Sequence, residues 1–566
     1  MNMKQNGNEK FEQMESDRSR IDWMITLVPF ALIVVLALLF FLLPDASNAV
    51  LGSIRTFLGD SFGLYYLLIG LGTAVMSLYI ALSRYGRIVL GAPDEKPKYS
   101  FFQWGAMMFT AGLAADILFY SFCEWILYWE DPHTVEMGSR MDWASTFTLF
   151  HWGPIPWGFY LVLAVAFGFM LHVRKRTRQK YSEACRPLLG KYTDRLPGRF
   201  IDLLAVFALL AGTATTFSVA TPLLSEALKT LLGIDLPDRT ITIAILLVTC
   251  VLYTCAVMRG MLGVSLLANV CTYCFYGLLL YVLVCGGEAR FILETGFSAM
   301  GRLAQNFLGL ATYTDPTRST GFAQNWTIFY WAYWMVWCVA APFFIGSISR
   351  GRTIRSTILG GYVFGMGSTF VSFIVLGNYG LGLQMAGRFD IVALYDKTQN
   401  LYTTIIAIIQ QLPLAKAVLV LLIVTMIAFY ATSFDSIALV ASQYSYKKLG
   451  KDEEPQGWVK ALWSVLLILL PVALVFSDSS MANLQSVSII AAFPIGAVIV
   501  LITAAFLKDA KAYMEEMNST CGRVPEGRRQ KHSTTSSGKS KLEPLSDTTL
   551  SGAPVSECLR CFGVRR

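Results

Sequence analysis

Apolar residues in this chain gather into long unbroken runs instead of alternating with polar ones. Runs of about 20 residues, the length that crosses a hydrocarbon core, lie near 23–43, 64–83, 102–128, 146–172, 201–228, 241–258, 262–286, 324–347, 357–377, 414–442, 459–476 and 485–506. They predict an all-α polytopic membrane protein with twelve transmembrane helices. The third, fifth and tenth runs could hide breaks. Residues 1–22 read as a polar leading segment, 23–506 as the membrane domain, and the stretches 44–63 and 287–323 as loops. Residues 507–566 change character: a helix-compatible start, Lys508 to Met517, gives way to a basic, Ser/Thr-rich tail expected to be largely disordered.

Composition agrees with the runs. Of 566 residues, 55% are hydrophobic and 15% charged, far from a soluble average. Most of the 46 Lys and Arg fall in segments that share one side if both termini are cytoplasmic. That excess is the mark of inner loops, so the chain reads as multi-pass in the plasma (inner) membrane with both ends inside. The net charge of +8 then reflects topology and contact with the bilayer, and no nucleic-acid partner is expected. The densest block, Arg174 to Lys180, is juxtamembrane and suits anionic lipid. The first apolar run has full span length and no small-residue cleavage site, so it does not read as a signal peptide. Cys250, Cys255, Cys271 and Cys274 lie in spans as small packing residues, and Cys558 with Cys561 forms an isolated pair unsuited to metal.

The eighth run opens Asn325-Trp326-Thr327-Ile328-Phe329-Tyr330-Trp331-Ala332-Tyr333-Trp334-Met335-Val336-Trp337, in which seven of thirteen residues are aromatic. Tyr333, Trp334 and Trp337 stand at i, i+1 and i+4, so two or three rings share a helix face. Rings without an acid among them suit a quaternary ammonium ion, which is held chiefly by cation–π attraction. An interfacial aromatic belt is the plainer reading, but it accounts for rings at a helix end better than for rings running into the middle. The fourth run begins His151-Trp152-Gly153-Pro154-Ile155-Pro156-Trp157-Gly158-Phe159-Tyr160. Its glycines and prolines should loosen the entrance, and Trp152 and Tyr160 would form a second wall. His151 reads as a satisfied structural histidine.

Ionisable residues inside spans are functional candidates. Asp116 and Glu124 lie eight apart on nearly one face of the third run, and Asp435 lies in the tenth. A proton carrier and a hydrogen-bonded structural acid are both open for Asp116, whereas Glu124 and Asp435 read as structural. Thr432 with Ser433, and Thr213, Thr215 and Thr216 after Gly212, could supply hydroxyls to sodium or simply bond back to their own helices.

Together these segments resemble the betaine/choline/carnitine transporter (BCCT) family over about residues 20–510. The carriers of the resemblance are Asn325 to Trp334, the basic loop Ile348-Ser349-Arg350-Gly351-Arg352-Thr353-Ile354-Arg355, His151 to Tyr160, Gly212-Thr213-Ala214, Thr432-Ser433-Phe434-Asp435-Ser436 and Glu124. The resemblance implies a LeuT-type fold in which two extra helices precede inverted five-helix repeats, about 102–286 and 324–506. It implies a substrate box of Trp152, Tyr160, Tyr333, Trp334, Trp337 and Phe119, a small quaternary-ammonium substrate, and often a homotrimer. Relatives usually carry Trp where this chain has Tyr333.

Coupling is where the sequence departs from its relatives. Sodium-coupled members resemble one another in a Gly-Met-Gly-Ile-Gly break, and this chain reads Gly112-Leu113-Ala114-Ala115-Asp116. An acid there looks like the proton-coupled choline-type members. Ion-independent exchangers share the Ala-Ala but place an Arg where this chain has Cys271. Thr432 and Ser433 match hydroxyls of a sodium site, while the family's Phe near the other site matches Ala340. The expectation is a proton-coupled secondary transporter, with a sodium-coupled symporter or an exchanger as alternatives. Apart from sodium at Thr432 and Ser433, no metal and no cofactor is expected. Rivals are a LeuT-type amino-acid transporter, which would use fewer Trp, and a membrane enzyme or sensor. The four scattered His and the short polar tail speak against those last two.

Overall fold

Hydrocarbon leaves a backbone only helices or closed barrels, and this chain takes helices. The computed structural model describes residues 20–521 except 113, 235, 260, 448, 450–452 and 478–480. Among the described residues the only pairings of strand type are two isolated bridges, Ile21 with Tyr446 and Val89 with Thr353. The main helices are α1 (Trp23–Leu42), α2 (Pro44–Ser61), α3 (Gly63–Leu82), α4 (Phe101–Thr110), α5 (Ala115–Trp129), α6 (Arg140–His151), α7 (Pro154–Gly168), α8 (Leu196–Leu232) and α9 (Asp238–Arg259). They continue as α10 (Met261–Cys285), α11 (Ala289–Thr312), α12 (Ile328–Trp337), α13 (Ala341–Ile348), α14 (Ile354–Met385), α15 (Leu401–Gln410), α16 (Ala415–Tyr444), α17 (Gly457–Phe476) and α18 (Met481–Cys521). The chain divides into two compact units, Met1–Phe506 and Leu507–Arg566. Residues 1–19 and 522–566, with Cys558 and Cys561, lie outside the described residues.

Among the described residues eight helices are long and apolar enough to cross a membrane, and counting each sharply bent pair as one span brings the number to 11. The chain is therefore an all-helical multi-pass membrane protein. Breaks fall where local chemistry interrupts the ladder. The third run divides into α4 and α5 at a bend of 66° around Gly112. The fourth divides at Trp152-Gly153, just before Pro154 and Pro156. The eighth divides into α12 and α13 at 56°, where Pro342 removes an N–H.

Three expectations are corrected. The eighth run is broken, which its aromatic density concealed. The fifth and tenth runs are continuous, as α8 and α16, even with Pro222 inside α8. The stretches 44–63 and 287–323 are not simple loops but hold α2 and α11. In α11 the buried positions include 292, 295, 296, 299 and 303, a helical stripe, while Arg290, Glu294 and Arg302 break up any long apolar run.

Small residues let the helices approach. A Cβ on Gly346 of α13 would come 2.7 Å from the Ala164 carbonyl and 2.8 Å from the Gly168 nitrogen of α7. A Cβ on Gly158 would come 2.8 Å from the Cα of Ala74 on α3. The fourth run is thus clamped between α3 and α13, as small-residue contacts allow in membranes. At the end of the molecule carrying Arg174 to Lys180, hereafter the basic end, residues 88–98 pair with 349–354. Gly351 N donates to Leu90 O, and Leu90 N to Arg352 O, each at 2.8 Å. Gly351 has φ +80°, and any side chain there would strike the Lys96 carbonyl.

Candidate functional site

The rings converge on Trp334. Its neighbours by centroid distance are Tyr160 at 4.9 Å, Trp152 at 5.6 Å and Trp157 at 6.0 Å, all inclined by 56–71°. Trp152 caps α6 where the helical ladder is interrupted before α7. Trp157 is fixed by glycine: a Cβ on Gly112 or Gly365 would come 2.6 Å or 2.2 Å from its indole. The glycine in the break of the third run therefore admits a ring of the fourth. Tyr120 and Tyr330 extend the cluster on its other flank, 5.7 Å and 5.8 Å from Trp152. Trp152, Tyr160, Tyr333 and Trp334 are 2%, 6%, 2% and 4% exposed, so this is an interior assembly and not an interfacial belt.

Other expected members sit apart from that convergence. Phe119 faces Tyr120 at 5.1 Å and Tyr402 of α15 at 5.3 Å. Trp337 is half-buried beside Gly212 of α8. Tyr333 turns its ring onto Phe329 at 5.5 Å, and its hydroxyl donates to Asp116 Oδ2 and meets the Thr216 hydroxyl. Three helices, α5, α8 and α12, thus meet at one phenolic oxygen. Asp116 stands in the first turn of α5, where the positive end of the helix favours a carboxylate. Its Oδ1, and the indole nitrogens of Trp334 and Trp337, are buried without a hydrogen-bond partner among the described residues.

A second buried acid supports the wall. Glu124 Oε2 accepts from Trp152 Nε1 at 2.6 Å, and Oε1 accepts from the Tyr128 hydroxyl at 2.6 Å. That hydroxyl, its proton committed to Glu124, accepts from His151 Nδ1 at 2.6 Å, and His151 Nε2 accepts from Thr327 Oγ1 at 3.1 Å. Every strong donor in this buried chain is matched. The carboxylate therefore fixes the plane of Trp152 against Trp334.

The hydroxyls after Gly212 take different partners. Thr213 bonds back to Leu209 O at 2.7 Å, and Thr215 reaches Ser488 at 2.8 Å and Leu484 O at 3.1 Å on α18. Ser433 is half-buried on α16, and the side chains of Thr432 and Asp435 lie outside the described residues. Cys271 is buried on α10, and Ala340 stands in the break between α12 and α13. Among the described residues no three His, Cys, Asp or Glu gather as a metal-binding group.

Trp157, Tyr120 and Tyr330 were not singled out from the sequence, although signals existed. Trp157 lies within the quoted fourth-run motif, Tyr330 is four residues before Trp334, and Tyr120 is four after Asp116. Helical spacing places the last two on faces already in use.

The family model for BCCT, betaine/carnitine/choline family transporter, matches residues 24–515. The chain belongs to this family. The transporter is 30% identical over 483 residues to "Glycine betaine transporter OpuD" of Bacillus subtilis (strain 168), a match covering 84% of this chain and 91% of that protein. It is 28% identical over 505 residues to "High-affinity choline transport protein" of Escherichia coli (strain K12), covering 88% and 73%. It is also 28% identical over 512 residues to "Osmo-dependent choline transporter BetT2" of Acinetobacter baylyi (strain ATCC 33305 / BD413 / ADP1), again covering 88% and 73%.

The wall of this BCCT transporter gives a first test. Glu124→Ala strips acceptors from two buried donors at a cost of about 1–3 kcal/mol each. The purified variant should melt several degrees lower, with Glu124→Gln intermediate because one amide oxygen remains. Equal melting temperatures for Glu124→Ala and the parent would show that Glu124 does not hold Trp152.

Proposed function

We propose that the protein is a secondary active transporter that carries a trimethylammonium compound such as glycine betaine, choline or carnitine by alternating access, coupled to protons. Twelve spans in a LeuT-type arrangement, with inverted repeats near 102–286 and 324–506 after two leading helices, belong to this reading. So do an inner-membrane location, cytoplasmic termini and a homotrimer. Residues 507–566 are a cytoplasmic tail.

The observation that carries it is the Tyr333 hydroxyl bonded to Asp116. The helix that presents Trp334 to the substrate thereby holds the acid that would carry the proton, so protonation and ring position are linked through one hydrogen bond. Tyr333 also meets Thr216 of α8, and a change in the proton on Asp116 is felt between helices. Membership of a betaine, carnitine and choline family, with relatives named for glycine betaine and for choline, supports the substrate class.

Binding follows from the rings. Each good contact contributes on the order of 0.5–2 kcal/mol once desolvated, and a few of them give roughly micromolar to millimolar affinity after ordering costs. No Arg or Lys lies in the third, fourth or eighth run near the rings. A substrate carboxylate would therefore turn to the indole N–H groups of Trp334 and Trp337, to backbone N–H or to hydroxyls. In this reading Trp152, Tyr160 and Trp334 hold the ammonium group. Tyr333, Trp337 and Phe119 complete the surround, and Asp116 couples. Sodium at Thr432 and Ser433, or exchange without an ion, are the competing modes.

The test is uptake of radiolabelled choline, glycine betaine and carnitine into proteoliposomes with pH and sodium gradients imposed separately. The pH gradient is expected to drive accumulation; dependence on sodium alone would move coupling to Thr432 and Ser433, and a need for internal substrate would mean exchange. Trp334→Leu should lower uptake about tenfold or more, the loss of 1–2 kcal/mol of cation–π energy, with normal amounts in the membrane; full uptake would remove Trp334 from the box. Asp116→Gly should transport without responding to the pH gradient, and an unchanged response would remove Asp116 from coupling.

A further inference from the structure

The break in the ring-bearing helix leaves a carbonyl that its own ladder cannot satisfy. In an unbroken helix the Cys338 carbonyl would accept from the N–H of residue 342, and Pro342 has none. The Tyr181 hydroxyl takes that place, donating to Cys338 O at 2.6 Å. Both residues are fully buried. Cys338 follows directly on Trp337, one turn beyond Trp334.

Tyr181 is held from elsewhere. Its N–H donates to the Tyr444 hydroxyl at 3.2 Å, at the end of α16. Beside it, the Lys180 ammonium donates to the Tyr444 carbonyl at 2.9 Å and lies 3.9 Å from Asp202 of α8. Asp202 in turn accepts from Ser182 N at 3.0 Å and Ser182 Oγ at 2.9 Å. Residues 180–182 are therefore anchored to α8 and α16. The Tyr181 ring packs toward α7 and α13, 5.4 Å from Phe167 and 6.3 Å from Phe343, which stack on each other at 3.8 Å. Lys180 and Asp202 also line a cavity of about 830 Å³ among the residues of the basic end.

Charge holds the anchor, whereas the polar link to the broken helix found among the described residues is one neutral hydrogen bond beside the Phe343 ring contact. Where its parting admits water to both groups, such a bond shifts an equilibrium only about three- to tenfold, so it parts as the buried break opens to solvent. That suits a contact made in one state and parted in another of similar energy. We propose that the Tyr181 hydroxyl is a latch that closes the break of the ring-bearing helix at the basic end, and that passage of substrate to that side requires it to part from Cys338. The inference rests on the alternating-access reading above and names a gating residue for it. In the orientation proposed there, this is the cytoplasmic gate.

Tyr181→Phe removes only the oxygen. The reporter is Cys338 itself, in a variant whose other cysteines are replaced, alkylated by N-ethylmaleimide in membrane vesicles. Tyr181→Phe should raise the alkylation rate about three- to tenfold, the weight of one neutral hydrogen bond. It should also raise efflux from loaded right-side-out vesicles relative to uptake, a ratio that loss of folded protein alone would not move. Pro342→Ala returns an N–H to residue 342, so adding Tyr181→Phe to it should change the labelling rate no further. Additive effects would mean that the two sites are independent. Unchanged labelling and an unchanged efflux-to-uptake ratio in Tyr181→Phe would overturn the latch. So would loss of ligand binding along with faster labelling, which marks a folding residue instead. If the parent protein carries no trimethylammonium compound, the transport reading falls by itself, and the labelling comparison still decides whether the hydroxyl holds the break.

Discussion

An unpaired backbone amide or carbonyl in hydrocarbon costs several kcal/mol, and the rest of this structure depends on how that cost is met at three helix breaks. Each break frees backbone groups, and at two of them a side-chain hydroxyl donates to a freed carbonyl, Thr369 at Trp152 and Tyr181 at Cys338. Around Gly112 the third run bends, and the freed space takes the Trp157 indole. At Trp152-Gly153 the helical ladder is interrupted, and Trp152, the residue that ends α6, meets Glu124 and Trp334. At Cys338 the missing N–H of Pro342 is replaced by the hydroxyl of Tyr181, from a short helix far away in the chain. The ring cluster lies between these breaks. A chain of straight helices would have put the same aromatics on parallel stripes, with no convergence on one indole.

The aromatic stretch of the eighth run consequently serves several ends. Trp334 faces the other rings, and Tyr330 faces Trp152. Trp331 packs against Gly70 of α3, where a Cβ would come 2.9 Å from its ring. Trp326 donates to Asp131 at 3.0 Å. Tyr333 gives up ring contact with Trp334 and uses its hydroxyl on Asp116. A tryptophan at 333 would offer an N–H donor in another position and no oxygen to accept from Thr216, so the tyrosine and the aspartate make sense as a pair.

Much of this was legible in the sequence, for physical reasons that also explain the rest. Span length is fixed by bilayer thickness, so apolar runs marked most of the long apolar helices, eight or up to 11 spans among the described residues, and the family resemblance agrees with the match over residues 24–515. The helices α2 and α11 escaped notice because they are amphipathic and carry charges that interrupt an apolar run. Glycine and proline marked the breaks of the third and fourth runs. In the eighth, one proline amid many rings gave a weaker signal than it deserved. Spacing grouped Tyr333 with Trp334 and Trp337, yet adjacent residues on a helix point about 100° apart, and only the positions of α5 and α8 decide what each one meets. The pairing of Tyr181 with Cys338 joins residues 157 positions apart, and no local pattern carries it.

Aromatic faces that recognise positive charge are the centre of the proposed site, and one measurement addresses that recognition directly. Competition against radiolabelled choline uptake in proteoliposomes would compare unlabelled choline with 3,3-dimethyl-1-butanol, its neutral carbon isostere. The two match closely in shape and differ in charge. Cation–π binding predicts that choline competes and that the neutral alcohol is weaker by about tenfold or more. Equal inhibition by both would mean that the rings read shape and apolar surface alone, and would contradict the ammonium cage.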